Sequence, residues 1–274
     1  MMIRFLSENK TDNPGCLAEH GLSVFVEACG RKILFDTGAS DIFSFNAKKM
    51  GVDLSTVDMA VISHGHYDHT QGVPEFCRLN EKAPIYIHRE AFSESYGTEN
   101  GEPEKEPCSI IWTKEQRDLV SRRLFLTDGP LRISEDIVIS GTIPYAEDDP
   151  TEIFYIKNED GSFTPDDMRH EQFLAVRENG RIHIFSGCSH KGVIPAVRYA
   201  RDLFPGEKIG VIMAGMHLYA SGKKKREQVI KQLIAEEADE IMPVHCTGMQ
   251  AICELKNALG DRCTIAAAGD SYGY

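Results

Sequence analysis

Met59-Ala60-Val61-Ile62-Ser63-His64-Gly65-His66-Tyr67-Asp68-His69 is the stretch on which the reading of this chain turns. An apolar run delivers four side chains able to ligate a metal ion, crowded between positions 64 and 69. Asp58 to Ser63 has the composition of a buried strand, and a strand end holds imidazoles and a carboxylate on a rigid support. Neutral imidazole and carboxylate are the donors that bind Zn²⁺ and related first-row ions. Without an ion, a polar turn of this kind would bury its groups at a cost that nothing offsets. His64, His66, Asp68 and His69 are therefore read as metal ligands.

Two other strands end in the same way. Ile182 to Phe185 runs into Ser186-Gly187-Cys188-Ser189-His190, and Glu240 to Val244 runs into His245-Cys246-Thr247-Gly248. In layered α/β folds the loops at one sheet edge form the ligand crevice, so groups distant in sequence meet there. His190 and His245 are candidate ligands on that ground. Two ions about 3.5–4 Å apart can share one hydroxide and bring a water's pKa from about 15.7 towards about 7.

Around these segments the chain alternates strands and helices. Leu22 to Ala28 and Lys32 to Asp36 read as a hairpin turned at Gly30-Arg31, and Phe173 to Val176 with Arg181 to Phe185 as another turned at Glu178-Asn179-Gly180. Asp41 to Met50 reads as a helix with Asp41 as a possible N-cap. Further strands are expected at 84–88, 131–133, 137–139 and 209–213. Helices are expected from about 193 to 203 and from 223 to 237. Ser93 to Pro107 is rich in Ser, Gly, Glu and Pro and reads as a surface loop or lid, part of a probable insertion around 93–123 in a single domain spanning 1–274. Glu147-Asp148-Asp149-Pro150 reads as an acidic loop.

The chain has 274 residues, 42% hydrophobic and 26% charged, the balance of an ordinary globular protein. No apolar stretch approaches the roughly 20 residues that cross a bilayer, and Met1-Met2-Ile3-Arg4-Phe5 lacks a signal-peptide pattern, so a cytoplasmic protein is expected, with no membrane partner. A formal net charge of -12 argues against nucleic acid as the main partner. The eight cysteines are scattered without a Cys-x-x-Cys pair, which suits reduced thiols.

The His-x-His-x-Asp-His run at 64 to 69 resembles the mark of the metallo-β-lactamase superfamily. Phe35-Asp36-Thr37-Gly38 is similar to that superfamily's early turn. Ser186-Gly187-Cys188-Ser189-His190, Gly215-Met216-His217-Leu218 and Pro243-Val244-His245-Cys246-Thr247-Gly248 resemble one branch, the group related to the archaeal 7,8-dihydropterin synthase. The resemblance implies a four-layer αβ/βα sandwich of the α/β class with one or two divalent ions at one edge, Zn²⁺ first and Mn²⁺ or Fe²⁺ as alternatives. It implies His64 and His66 on the first ion, Asp68, His69 and His245 on the second, and His190 completing or bridging the pair. Superfamily members usually carry a bridging Asp where this chain reads Gly187-Cys188. Either Cys188 or His190 takes that role, or one ion is held loosely. His170, in Arg169-His170-Glu171-Gln172, falls near the superfamily's middle histidine.

Other residues carry weaker signals. Asp36 is either a carboxylate orienting a histidine or a turn-forming Asp before glycine. His217 orients substrate, donates a proton or caps a loop, and is counted with Asp68 among the catalytic candidates rather than the ligands. His88 and His183 read as the polar faces of strands, His20 gives no signal, and Lys223 to Arg226 reads as a solvated helix face. Cys246 reads as buried filler. Tyr67, Trp112, Tyr219 and Tyr272 could stack a flat ring, Tyr67 foremost because it lies in the ligand loop.

The expected activity is metal-dependent hydrolysis by a metal-bound hydroxide acting on an ester, phosphoester or related small molecule, anionic or pterin-like. One alternative is a dihydropterin synthase-like condensation of a pterin diphosphate with an arylamine. A second is a non-catalytic metal-containing binding module. A di-iron oxygen-reducing role is disfavoured, because that branch presents Glu where His66 stands and no glycine-rich nucleotide loop is found.

Overall fold

The computed structural model describes residues 1–147 and 152–274. Two sheets face each other. The first has seven strands in the order Ser271–Gly273, Met2–Ser7, Ser23–Ala28, Arg31–Phe35, Met59–Val61, Ile85–His88 and Leu124–Thr127. The second has six, in the order Leu131–Arg132, Ile137–Ile139, Phe173–Glu178, Arg181–Ser186, Lys208–Gly215 and Glu240–Val244.

Side-chain alternation sorts the layers. In the hairpin at 173–186, Leu174 pairs with Phe185 and Ala175 with Ile184. Leu174, Val176 and Phe185 point between the sheets, where they meet Phe5, Phe35, Val61, Met213 and Val244. Phe173, Ala175, Ile182 and Ile184 point the other way, onto helices Val193–Leu203, Lys223–Ala235 and Met249–Leu259. The first sheet does the same on its own outer side: Leu34, Ala60, Ile62 and Ile85 pack on helices Ile42–Lys49, Val73–Leu79 and Lys114–Ser121. Period-two strands thus bury both faces, and helices with apolar stripes cover the outside. Each fully buried Phe or Leu contributes about 1.5–3 kcal/mol of transfer free energy. The result is the αβ/βα sandwich expected from the sequence.

Both sheets change from antiparallel to parallel pairing part-way across. Arg31–Phe35, Met59–Val61 and Ile85–His88 run parallel, as do Arg181–Ser186, Lys208–Gly215 and Glu240–Val244. Parallel strands release their C-terminal ends at one edge, and at that edge lie Asp36, His64, Cys188, His217 and His245.

Several sequence expectations are corrected. Asp41 flanks its helix, but its side chain makes no capping bond. The stretch 93–107 is not a bare loop: Ser95–Tyr96 pairs with Tyr155–Lys157, which pairs with Phe163–Pro165, and Thr98–Glu99 pairs with Glu102–Pro103. His88 and His183 are buried rather than on solvated strand faces; His88 Nε2 lies 2.9 Å from Thr142 Oγ1. In the basic run, Lys223 and Lys224 are exposed. Lys225 instead pairs with Glu147 at 2.5 Å, and buried Arg226 forms a two-pronged pair with Glu254 at 2.8 and 3.0 Å. Of the expected acidic loop, Glu147 is described and Asp148-Asp149-Pro150 lies outside the described residues.

Candidate metal centre

The ligand loop is folded by close backbone approach. A Cβ at position 65 would come within 2.1 Å of the Ala91 carbonyl oxygen, and one at position 187 within 2.2 Å of Ser63 Oγ, so only glycine fits at either place. Asp36, Ser189, His217 and His245 all sit at positive φ, between 45 and 56°. That conformation costs free energy for a residue with a Cβ and persists where neighbours over-determine it. Here they do: the His245 N–H donates to Glu8 Oε1 at 2.6 Å, and the His217 N–H to Cys246 Sγ at 3.3 Å.

The histidine rings converge. Ring centroids lie 4.5 Å apart for His64 and His66, 4.2 Å for His64 and His69, 5.0 Å for His64 and His190, 4.8 Å for His66 and His190, and 4.9 Å for His69 and His245. Two groups of donor atoms result. Asp68, His69, Cys188 and His245 bring one donor atom each, all within 4.8 Å of one another; His64, Cys188 and His190 form a second group within the same limit. Cys188 belongs to both. Nε2 of His64, His66 and His190 are buried without a hydrogen-bond partner. Orphaned polar atoms in a protein interior call for a partner, and converging imidazole, carboxylate and thiol suit a first-row divalent ion. The residues fit the metal that the sequence implied.

The outer contacts fix which nitrogen each ring offers. Asp36, fully buried, accepts from Ser63 N and Ser63 Oγ, both at 2.7 Å, and from His69 Nδ1 at 2.7 Å. Ser63 Oγ, its proton committed to Asp36, accepts from His64 Nδ1 at 2.9 Å. His245 Nδ1 donates to Asn9 Oδ1 at 2.7 Å. In all three rings the proton sits on Nδ1 by this network, leaving the Nε2 lone pair facing the centre. Asp36 therefore both makes the turn and orients histidines, the two roles left open by the sequence. Glu171, buried in full, seats the next loop by accepting from the N–H of His190 at 2.6 Å and of Lys191 at 2.8 Å.

Burial sets the electrostatics. It holds His64 and His190 well below the ordinary histidine range, with neighbouring imidazoles adding to the effect, and it lowers His66 to about 3 and His217 to about 4. His245 is lowered by burial too, against the pull of Asp68. His69 goes the other way: burial opposes charging, but the Asp68 and Asp36 carboxylates raise it. Burial works to raise Asp68, yet His69, His20 and His245 together hold it well below the usual carboxylate range. Burial and the adjoining Cys246 push the Cys188 thiol up. Neutral imidazoles beside an ionised carboxylate are the state that binds a cation.

The structure brings His64, His66, Asp68, His69, Cys188, His190, His217 and His245 to one place and leaves others out. His170 belongs to neither donor group: Nδ1 accepts from the Gly65 N–H at 3.1 Å and Nε2 faces Asp166 Oδ2, outside the cluster, at 3.3 Å. Its task is to hold the glycine of the ligand loop. Trp112 packs in the outer core and donates to the Thr70 carbonyl, and Tyr272 packs edge-on against Phe5, so neither stacks a ligand at the centre. Cys246 is buried as expected.

A cavity of about 160 Å³ opens onto the cluster, lined by His66, Asp68, Cys188, His190 and His217 together with Tyr67, Glu104, Glu152, Phe154 and Tyr219, with His20 beside Asp68. His20 Nε2 lies 3.3 Å from Asp68 Oδ2, and His217 Nδ1 lies 3.2 Å from Glu152 Oε2. His20, Glu104, Glu152 and Phe154 were not found from the sequence. They lie outside the histidine-bearing strand ends, and no local pattern marks them.

The family model of the metallo-beta-lactamase superfamily matches residues 18–172, more than half of the chain. The chain belongs to that superfamily. Within it, a Methanocaldococcus jannaschii protein named 7,8-dihydropterin-6-methyl-4-(beta-D-ribofuranosyl)-aminobenzene-5'-phosphate synthase is 30% identical over 247 residues, 85% of this chain and 83% of that protein. An uncharacterized protein of the same organism is 28% identical over 258 residues, 93% of either chain. A crystal structure described as a metal-dependent hydrolase of the beta-lactamase superfamily superposes with a TM-score of 0.84 at 26% identity, covering 100% of this chain and 99% of that one. The metallo-beta-lactamase fold is thus shared along the whole length. Among the described residues, no helix is long and apolar enough to cross a membrane.

Proposed function

We propose that this chain is a metal-dependent hydrolase of small molecules, with the 274 residues acting as one catalytic unit and the 93–123 segment walling the cavity. His64, His66 and His190 would hold one divalent ion, and Asp68, His69 and His245 a second. Cys188 stands where both groups meet and takes the place of the missing bridging Asp. Zn²⁺ suits this mixed imidazole, carboxylate and thiolate set. The observation that carries the reading is that the rings of His64, His66 and His190 lie within 5.0 Å of one another with buried, unpartnered Nε2 atoms, while Cys188 groups with His64 and His190 on one side and with Asp68, His69 and His245 on the other.

Such ions, when bound, polarise the substrate and make water a nucleophile near neutral pH. The chain's own groups supply the rest. Asp68 Oδ2, 3.1 Å from His245 Nε2 and 3.3 Å from His20 Nε2, is placed to hold the proton released by the attacking water. His217 lines the cavity and, lowered to about 4 and tied through Nδ1 to Glu152, is a neutral imidazole near neutral pH whose Nε2 can accept a hydrogen bond or a proton from a bound group. Phe154, packed 4.6 Å from the His190 ring and 4.8 Å from His66, keeps the centre dry.

The test is chelator treatment followed by return of Zn²⁺, Mn²⁺ or Fe²⁺, with turnover assayed on esters, phosphodiesters and lactones. Metal-restored activity that is lost in His66→Ala supports the reading, and metal-loaded protein inert on the whole panel removes it. The printed name of the M. jannaschii relative supports a second reading: the same ligands would promote attack by an arylamine on a pterin diphosphate, releasing diphosphate. Mass spectrometry of a mixture of pterin diphosphate, arylamine and enzyme decides between them. A folded, metal-loaded protein inert in both assays would point to a binding module.

A further inference from the structure

One flank of the sandwich carries two sheet edges. Leu124–Thr127 ends the strand order of the first sheet and Leu131–Arg132 that of the second, and the turn Asp128-Gly129-Pro130 joins them. Leu124–Thr127 runs parallel to Ile85–His88, with Ile85 beside Leu124 and Ile87 beside Leu126. The Ile85 N–H donates to the Arg123 carbonyl at 2.9 Å. In a parallel ladder of that register the N–H and C=O of Phe125 serve Ile85 and Ile87, so those of Leu124 and Leu126 point away from the sheet. Among the described residues neither Leu124 nor Leu126 meets a backbone partner on that side. The side chains are open as well: Phe125 is 54% exposed, Leu126 55% and Leu131 37%. Sheet edges are ordinarily guarded by a charge, a proline or a covering segment. Glu240–Val244, at the other end of the second sheet, is covered, since the Thr264 N–H donates to the Ile241 carbonyl at 3.0 Å. Leu124-Phe125-Leu126-Thr127 has neither charge nor proline.

We infer that this edge is a dimer interface whose occupant is the same strand of a second copy, paired antiparallel about a two-fold axis. The outward backbone groups fix the register. Leu124 stands opposite Leu126 of the second copy and Phe125 opposite its counterpart, so that the two leucines of each copy exchange N–H···O=C bonds with those of the other. The two Phe125 rings then meet on one face of the joined sheet, and Leu124 meets Leu126 on the other. The same register sets Arg122 opposite Asp128 of the second copy, and the two-fold axis repeats that pair. Both residues are exposed, and Asp128 faces only Arg89 at 3.4 Å and His88 at 3.9 Å within its own chain. A segment with its cation at the start and its anion at the end is complementary to itself when antiparallel, which is why a second copy, rather than an unrelated peptide, fits here. A shift of two residues either way parts Arg122 from Asp128. None of these residues lines the cavity over the histidine cluster, so pairing leaves it open.

The experiment is sedimentation equilibrium of the full chain over roughly 1 to 200 μM, the range in which an interface of modest size associates. The wild type should pass from the mass of one chain to that of two. Leu126→Lys puts a charge on the edge at an exposed position, and its dissociation constant should rise by about tenfold or more, a change of one contact residue on each side of the axis. Arg122→Asp and Asp128→Arg each set like charges opposite one another at both ends of the strand pair, so each variant alone should stay monomeric at concentrations where the wild type is dimeric. Mixed in equal amounts, the two variants restore opposite charges at both places and should form the mixed dimer. Thermal unfolding of every variant checks that it is folded, and if Leu126→Lys is not, the charge exchange decides alone. A wild type that stays monomeric throughout, a dimer that survives Leu126→Lys or either charge reversal unchanged, or a mixture that remains monomeric overturns the inference.

Discussion

Replacing Asp36 by Asn tests how the centre is supported without touching a ligand. Asp36 accepts three hydrogen bonds of 2.7 Å, one on Oδ1 from Ser63 N and two on Oδ2 from Ser63 Oγ and His69 Nδ1. An Asn whose oxygen stays on Ser63 N must turn its NH₂ towards two donors. Ser63 can rotate its hydroxyl, but its bond to His64 Nδ1 is then disturbed, and His69 escapes a donor–donor clash only by moving its proton to Nε2. That nitrogen faces Cys188 Sγ at 3.1 Å and is the one required as a ligand. A lost hydrogen bond to a charged group is worth about 1.5–3 kcal/mol, and changes in such outer contacts typically cost about 10–100-fold in metal affinity. Competition titration against a chromophoric chelator should therefore show D36N binding the ion of the Asp68, His69 and His245 group about 10–100-fold more weakly, with a lower melting temperature in the metal-free state. Wild-type affinity in a variant that melts like the wild type would refute the assignment of His69 Nε2 as a donor.

Further outcomes follow from the same geometry. Glu171→Ala leaves the N–H groups of His190 and Lys191 without acceptors; at about 1–3 kcal/mol each, denaturant unfolding should show a loss of roughly 2–6 kcal/mol, and Glu171→Gln a smaller one. Gly65→Ala forces a Cβ into the Ala91 carbonyl, so elemental analysis should find the purified variant depleted of metal even where it remains folded. For the metal-free protein, His64, His66, His190, His217 and His245 have lowered folded-state pKa values and His69 alone a raised one. Between the unfolded value of about 6.5 and about 3 for His66 the unfolded chain binds more protons, so stability falls as pH falls. Melting temperatures of chelator-treated protein should drop from pH 7.5 to pH 5.5, and a rise would contradict the burial of neutral imidazoles.

Much of this architecture was legible because its elements announce themselves locally. The hairpin at 173–186 has alternating side chains and an Asn-Gly turn, with Asn179 and Gly180 at positive φ as that turn demands. The strand before His64 is apolar throughout because it is a parallel strand covered on both faces. Helix Met249–Leu259 was overlooked although Ala251, Ile252, Leu255 and Leu259 carry its stripe, and helix Val73–Leu79 although Pro74 opens it. The edge strand Ser271–Gly273 could not be read, since it exists only through its pairing with Met2–Arg4. At the site, ligands sit at strand ends and carry a pattern, whereas the groups that orient them do not. Glu8, Asn9 and Glu171 are ordinary polar residues in sequence, and their role comes from the tertiary contact alone. His170 has the right position along the chain, but its nitrogens serve Gly65 and Asp166 rather than either donor group.

The most direct measurement is anomalous diffraction at the zinc edge from crystals of the protein purified without chelator, supported by elemental analysis of the same batch. The account requires anomalous peaks within about 2.0–2.3 Å of Nε2 of His64, His66 and His190 and of the Asp68, His69 and His245 donor atoms. Well-ordered crystals of Zn²⁺-supplemented protein with no peak among these side chains, or with the ion bound elsewhere, would contradict it.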